Sequence, residues 1–122
     1  MTSPTEHSLA ECRKRKWLVD VVERSIFANG KMYGKHDLFN IFDLVAITPK
    51  GILGLQVTSA SNVSSRFKKL TQEHADTCRR WLGAKGLIAV WGWKKRKVRG
   101  KDGKWWELIV REVTCDELAE SD

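Results

Sequence analysis

The stretch that decides the fold is HDLFNIFDLVAITPKGILGLQVTSASNVSSRFKK, residues 36–69. Its apolar run, 42–47, has the length of a strand, and Pro49-Lys50-Gly51 after it is typical of a tight turn. Pro presets one turn angle, and Gly accepts a positive φ. Residues 52–58 predict the returning strand. Apolar residues at spacings of three and four then predict a helix over 63–82.

The predicted hairpin carries a few polar side chains among apolar ones. Alternation in its second strand sends Leu53, Leu55 and Val57 to one face and Gly54, Gln56 and Thr58 to the other. The first strand carries one carboxylate, Asp43. The two strands can therefore gather a carboxylate, an amide and a hydroxyl at one point, which is how a metal-dependent hydrolytic site is built.

This order of residues resembles the core of the PD-(D/E)XK nuclease superfamily, which includes restriction enzymes, archaeal-type Holliday junction resolvases and the small VRR-NUC nucleases. Asp43 matches the motif's Asp, and Gln56-Val57-Thr58 stands where (D/E)-x-K is usual. The phrases DLFNIFDLVAI, LQVTSASNVSSRFKK and AVWGWKK together look like one small group of such proteins, often carried by viruses and mobile elements. The resemblance covers residues 17–93.

Two positions depart from the superfamily's pattern. Gln56 replaces the usual acid, a known variation that still offers a metal an oxygen. Thr58 replaces the Lys that holds the attacking water and offsets negative charge. In some members that cation moves to the following helix, where Arg66 and Lys69 stand here. Ordinary surface cations on a helix are the alternative interpretation of this pair.

The resemblance implies an α/β fold of the restriction-endonuclease type, with a mixed sheet of four or five strands flanked by helices. A single domain would occupy residues 1–122, with disordered tails at about 1–7 and 117–122. Mg²⁺, with Mn²⁺ as a substitute, would be held by Asp43, Gln56 and the Val57 carbonyl, because Mg²⁺ takes oxygen ligands. Thr58 would position water or substrate by its hydroxyl.

Two more acids are candidate metal ligands. Asp37 lies six residues before Asp43, an even spacing that gives the same strand face if the stretch is regular, but it could equally be a turn or cap residue. Glu23 falls on a helix predicted over about 9–28, between a Ser8–Glu11 capping pattern and the Asn29-Gly30 stop. Resolvase-like members place a metal-binding Glu on their first helix; a surface Glu paired with a neighbouring arginine is the alternative.

The charge balance indicates a polyanionic partner. Lys and Arg number 22 against 15 acids, a net charge of +7. Much of the excess forms two blocks: Arg13, Lys14, Arg15 and Lys16; and Lys94, Lys95, Arg96 and Lys97. We expect both blocks to bind nucleic acid. The alternative is that each block is an ordinary solvent-exposed surface of lysines and arginines. Most of the six tryptophans are expected to pack, while Trp93 or Trp105, beside the lysines, could stack on unpaired bases.

Several classes of protein are disfavoured. No apolar run approaches the roughly 20 residues of a membrane span, and the polar N-terminus lacks a signal-peptide core, so a cytoplasmic location is expected. Three distant cysteines give no zinc or disulfide pattern, which predicts small reduced hydrophobic side chains. Strands are predicted over 87–93 and 105–113, joined by a hairpin turn at 100–103.

The sequence thus predicts a metal-dependent endonuclease that hydrolyses DNA, including structure-specific cleavage of branched DNA as one form. The alternative is a catalytically degenerate module of the same fold that binds DNA or another protein. Gln56 and Thr58 favour that alternative. A homodimer, as in resolvase-like proteins, and a host protein partner both stay open.

Overall fold

The computed structural model of the protein describes residues 3–97 and 104–120. Its helices and strands, in chain order, are α1 (Pro4–Lys14), β1 (Leu18–Val21), β2 (Arg24–Ala28), β3 (Lys31–His36), β4 (Leu44–Thr48), β5 (Gly51–Ser59), α2 (Val63–Gln72), α3 (Ala75–Gly83), β6 (Leu87–Lys97) and β7 (Lys104–Val113). A five-stranded mixed sheet has the order β1-β4-β5-β6-β7, and β2 pairs with β3 in a separate hairpin. The expected α/β class with a mixed sheet flanked by helices is confirmed.

The central hairpin is the predicted one. β4 pairs antiparallel with β5 from Thr48↔Gly51 to Leu44↔Leu55, around a two-residue turn at Pro49-Lys50. β5 then crosses over through α2 and α3 to β6, which runs parallel to it. A parallel neighbour requires such a long crossover, and the helix pair supplies it.

Each face of the sheet has its own core, and we name the faces by the helices that cover them. On the α1 face, Leu44, Ala46, Leu53, Leu55, Ala89, Trp91 and Trp93 pack with Cys12. On the α2–α3 face, Ile41, Phe42, Val63, Leu70, Cys78, Ile88 and Val90 pack together. The alternation predicted for β5 is thereby confirmed, because Gln56 and Thr58 belong to the α2–α3 face.

The prediction of one helix over 9–28 is wrong. The capping box is formed by Ser3 and Glu6 around Pro4, and α1 ends near Lys14. Lys16 has a positive φ of 63°, and the N–H groups of Lys16 and Trp17 donate to the carbonyls of Arg13 and Cys12. This is the Schellman arrangement with Lys where Gly is usual, so no glycine marks the helix end.

The rest of that predicted helix forms strands. Asn29-Gly30 is a hairpin turn between β2 and β3 rather than a helix stop, with φ values of 54° and 78°. Two positive φ angles suit a two-residue hairpin, and Asn-Gly is the preferred pair for it. The β-branched and aromatic residues around it fit strands better than a helix interior.

Two further predictions of boundaries, for the helix over 63–82 and for the terminal tails, differ from the structure. The helix predicted over 63–82 is interrupted at Glu73-His74, which gives α2 and α3. The expected tails are partly ordered, because residues 4–7 belong to α1, Leu118 is buried, and the Ala119 N–H donates to the Thr71 carbonyl. The turn predicted at 100–103 lies outside the described residues.

The expectations for the thiols and for membrane spans can also be compared with the structure. All three cysteines are free, and burial raises the pKa of the Cys12 and Cys78 thiols to about 11, so both stay protonated at neutral pH. Among the described residues, no helix combines the length and apolar character that crossing a bilayer requires.

Candidate metal centre

Asp43 stands one residue before β4, and its main-chain groups form hydrogen bonds on both sides. β1 pairs with β4 up to Val21↔Leu44, and the Val22 N–H then donates to the Asp43 carbonyl at 3.0 Å. β4 pairs with β5 up to Leu44↔Leu55, and the Asp43 N–H also donates to the Leu55 carbonyl, at 2.9 Å. Two successive residues that face one residue of the partner strand form a β-bulge, so the regular ladder ends at Leu44. Asp43 therefore lies at the end of the β4–β5 ladder, where Gln56 and Val57 follow Leu55.

A hydrogen bond fixes the Asp43 carboxylate at this place. Its Oδ2 accepts from the Val57 N–H at 2.8 Å. β4 does not extend beyond Asp43 to pair with this part of β5, so the carboxylate takes the N–H that a longer strand would have paired. A partly buried N–H left without an acceptor would cost about 1–3 kcal/mol, which the side chain avoids.

A tight turn brings Asp37 back towards Asp43. The Asn40 N–H donates to the Asp37 carbonyl, Leu38 bridges to Phe42, and both Phe39 and Asn40 have positive φ. The six-residue spacing of Asp37 and Asp43 predicted a shared face only if residues 37–43 formed a regular strand. They form a turn, so the prediction of a shared strand face is wrong. Asp37 starts a turn, which was one of the two alternatives, and a carboxylate oxygen of Asp37 also lies within 4.8 Å of one from Asp43. Its role at a metal stays a prediction.

Glu23 completes a cluster of three carboxylates. It lies between β1 and β2, so the prediction that it belongs to a helix is wrong. Its carboxylate nevertheless lies close to that of Asp43. Glu23, Asp37 and Asp43 each bring one oxygen within 4.8 Å of the other two, and all three residues are partly buried. Carboxylate oxygens at such separations can share a single divalent cation.

Asp43 has surroundings that disfavour its charged form. Burial, together with the negative charges of Asp37 and Glu23, raises the pKa of Asp43 from 3.8 to about 6, against the opposing effect of the Val57 hydrogen bond. At neutral pH Asp43 is therefore ionised at a cost in free energy. A bound cation would remove that cost, because it favours the charged form.

Gln56 adds a buried neutral oxygen. Its side chain is 5 % exposed, and its Nε2 donates to the Ile41 carbonyl at 3.2 Å. That hydrogen bond assigns the nitrogen and leaves Oε1 as the acceptor, which is buried and has no hydrogen-bond partner within the described chain. A buried amide oxygen without a donor is uncommon in proteins, and a metal ion is one partner that would satisfy it.

The remaining predicted catalytic residues are not brought to the carboxylates. Thr58 is buried on the same face, two residues beyond Gln56 and opposite Gly92 of β6. Arg66 and Lys69 are exposed on α2, and in the part of the chain that the structure describes neither forms an ion pair with Asp43. The predicted entry of a helix cation into this site is therefore not seen.

The two basic blocks lie at different places. In the first block, Arg15 pairs with Glu11 at 2.8 Å and lies over the rings of Trp17 and Trp91, so it has a packing role on the α1 face. The second block is on β6 beyond the last β5–β6 pair, Ser59↔Trp93. It therefore continues from the same end of the sheet as the carboxylate cluster.

Trp93 and Trp105, the two tryptophans that the sequence named as candidates for base stacking, have different surroundings. Trp93 is buried and donates from its Nε1 to the Ser8 hydroxyl at 2.8 Å, so it packs rather than binding bases. Trp105 is exposed on β7.

Sequence reasoning missed the β2–β3 hairpin that delivers Asp37, although the Asn29-Gly30 pair was a usable signal for it. No protein-family model, curated protein or solved structure matches this chain.

Proposed function

We propose that the protein is a metal-dependent endonuclease that hydrolyses phosphodiester bonds of DNA. The observation that carries this proposal is the convergence of Glu23, Asp37 and Asp43. The buried and unpaired Gln56 Oε1 belongs to the residue before Val57, whose N–H binds Asp43. Charged and neutral oxygens together form a ligand set for a hard divalent cation such as Mg²⁺, with Mn²⁺ as a substitute. Such an ion, when bound, lowers the pKa of a bound water and neutralises charge on the phosphate.

Hydrogen bonds from the main chain would hold the ligand side chains of this site in position. The Val57 N–H holds one oxygen of Asp43, and the Ile41 carbonyl holds the Gln56 nitrogen. Both main-chain groups of a strand residue face the same neighbour, so the Val57 carbonyl faces the Asp43 side and remains a candidate ligand. Held donors and acceptors need little reorganisation during a reaction, which is the basis of electrostatic preorganisation.

The missing motif Lys needs a replacement in this proposal. Lys69 or Arg66 of α2 would supply the positive charge once substrate is bound, since both are exposed and free to move towards a phosphate. Thr58 would act mainly by packing, because its side chain is 6 % exposed. Replacing Lys69 by Ala should slow cleavage more than it weakens binding if Lys69 is that cation.

The test compares wild type with Asp43→Asn on labelled duplex, single-stranded and four-way-junction DNA, each with Mg²⁺, Mn²⁺ or chelator. Losing one electrostatic group of this kind costs about a hundred- to a thousand-fold in rate. Asp20→Asn is the matched control, because Asp20 is an exposed acid on β1 whose carboxylate caps its own neighbour, Val21. Equal cleavage by wild type and Asp43→Asn would refute the assignment of the site.

A second candidate function is DNA binding without catalysis. Thr58 in place of Lys, and the absence of an Arg or Lys paired with Asp43 within the described residues, favour it. This candidate predicts retained DNA binding in chelator and no cleavage with any metal or substrate. A homodimer, which the resemblance to resolvases implies, and the expected cytoplasmic location are compatible with either proposal. Light scattering on the purified protein measures the oligomeric state.

A further inference from the structure

The β6–β7 hairpin continues past the rest of the sheet. The last pair between β5 and β6 is Ser59↔Trp93, whereas β6 and β7 remain paired to Lys97↔Lys104. We call the outer part, residues 94–97 and 104–107, the basic arm. Because β5 ends first, the arm is a two-stranded ribbon that extends from the end of the sheet where the carboxylate cluster lies.

Strand alternation decides which arm side chains share the α2–α3 face. Ile88 and Val90 of β6 and Val113 of β7 belong to the core of that face, and Ile109 packs against it. Counting by twos from these residues gives Lys94, Arg96, Trp105 and Glu107 on the same face. Gln56 belongs to this face as well, because it alternates with Gly54, which lies against Phe42. One surface therefore contains the arm side chains and the amide of the candidate metal centre.

Trp105 is unusual among the tryptophans. All six lie within the described residues, and Trp105 alone is exposed over more than a third of its surface, at 48 %. Trp91, by comparison, is 1 % exposed. Within the described residues nothing covers the exposed half of this indole, although a single exposed apolar residue would not by itself indicate a ligand. Its neighbours supply the second observation.

Arg96 lies directly across the strand pair from Trp105, at a distance where cross-strand side chains touch. Glu107 accepts a hydrogen bond from the Arg96 Nε, which restrains the side chain. In the described part of the chain the terminal nitrogens of Arg96 make no hydrogen bond, so they are available to a phosphate. Arg presents its donors as a planar fork that matches phosphate oxygens.

The charge around Trp105 is positive. Lys94 stands opposite Glu107, and Lys95 is exposed on the other face with its Nζ 5.8 Å from the centre of the Trp106 ring. On the face of Trp105, the arm therefore has two positive side chains, Lys94 and Arg96, and one acid, Glu107. A flat aromatic side chain beside a guanidinium and lysines is the combination with which proteins bind unpaired nucleotides, stacking the base and pairing the phosphate.

We propose that Trp105 and Arg96 of the basic arm bind an unpaired nucleotide of the DNA substrate, with the base stacked on the indole and the phosphate on the guanidinium. A base within a duplex offers no free face for stacking, so the surface selects DNA with a single-stranded segment. The inference rests on the proposed function, because it names the class of substrate for that site.

The register gives the distance between the two sites. Gln56 stands beside Val90 of β6, and Arg96 lies six residues further along the strand, about 20 Å at 3.3 Å per residue. A stacked strand advances about 3.4 Å per nucleotide, so roughly six nucleotides span this distance. The phosphate that is cleaved should therefore lie within about six nucleotides of the base bound by Trp105.

The first experiment measures binding in chelator, by fluorescence anisotropy of a labelled single-stranded 12-mer and of a duplex of the same length. Trp105→Ala should weaken binding of the single strand about tenfold or more, leave duplex binding unchanged, and be largely rescued by Trp105→Phe. The matched control is Val110→Ala, because Val110 is on the same strand, 45 % exposed and on the opposite face. Circular dichroism confirms that each variant is folded.

Equal affinity of wild type and Trp105→Ala for the single strand would overturn the inference, as would an equal loss for single strand and duplex. Because no metal is present, this result does not depend on hydrolysis. If Trp105→Ala loses single-strand binding while the wild type cleaves no substrate with any metal, the arm's role stands and the proposed nuclease function fails. If the wild type cleaves but Trp105→Ala binds normally, the reverse holds.

Discussion

Replacing Asp43 by Asn should stabilise the metal-free protein at neutral pH. Burial and the charges of Asp37 and Glu23 raise the pKa of Asp43 in the folded state to about 6, against 3.8 for an isolated carboxyl. Two units of pKa correspond to about 3 kcal/mol of unfavourable free energy once the group is ionised. Asn keeps an oxygen for the Val57 N–H but accepts a weaker hydrogen bond, so we expect a net gain of about 2 kcal/mol.

The pH dependence follows from the sign of this shift. Since the pKa of Asp43 is higher in the folded state, the folded protein binds more protons than the unfolded chain between about pH 4 and pH 6. The contribution of Asp43 to stability therefore falls as pH rises through that window. The stability difference between Asp43→Asn and wild type should be near zero at pH 4 and reach its full value by about pH 7.5.

The assay is urea unfolding followed by tryptophan fluorescence, in chelator and at both pH values. Adding Mg²⁺ or Mn²⁺ at about a hundred times the dissociation constant should stabilise the wild type by about 2.7 kcal/mol and leave Asp43→Asn unchanged. Asp20→Asn, an exposed acid outside the cluster, should behave like wild type throughout. An Asp43→Asn protein that is less stable than wild type at pH 7.5 in chelator would refute the reasoning about repulsion.

Three further changes have expected outcomes. Gln56→Glu would add a fourth carboxylate beside Asp43, so the protein should lose stability in chelator and show a larger thermal shift with Mn²⁺ than wild type does. Gly54→Ala would place a methyl group against the Phe42 ring, closer than van der Waals contact allows. Urea unfolding should therefore show a loss of about 1–3 kcal/mol, with weaker metal binding because Phe42 adjoins Asp43. Ser8→Ala would remove the acceptor of the buried Trp93 Nε1 hydrogen bond and should cost about 1–3 kcal/mol in the same assay.

The parts of the fold that the sequence predicted are those with a short and regular signal. The β4–β5 hairpin has turn chemistry at Pro49-Lys50 and strict alternation along β5, and both are local properties of the chain. The N-terminal region failed for an equally local reason. Its helix ends in a left-handed residue that is Lys16 instead of glycine, so the sequence pattern continues where the helix stops.

The candidate site was predicted in part, and for mixed reasons. Resemblance identified Asp43 and Gln56, and the structure hydrogen-bonds Asp43 to Val57, the residue after Gln56. Asp37 and Glu23 were named from a strand and a helix that do not exist, yet both join the cluster because a turn and a strand end deliver them. The orientation of Arg66 and Lys69 could not be predicted, because helix rotation depends on packing against the sheet and not on spacing within the helix.

The neutral residue at position 56 can be explained by the charges around it. A motif with one Asp and one Glu brings two negative charges to a divalent ion, whereas here Glu23, Asp37 and Asp43 already supply three. A further acid at a position 5 % exposed would add repulsion without being needed for neutrality. An amide supplies the ligand oxygen without that charge. On the proposed function, Gln56 is then a consequence of the two extra acids, and the pair of changes, Gln56→Glu with Asp37→Asn, should bind Mn²⁺ more tightly than Asp37→Asn alone.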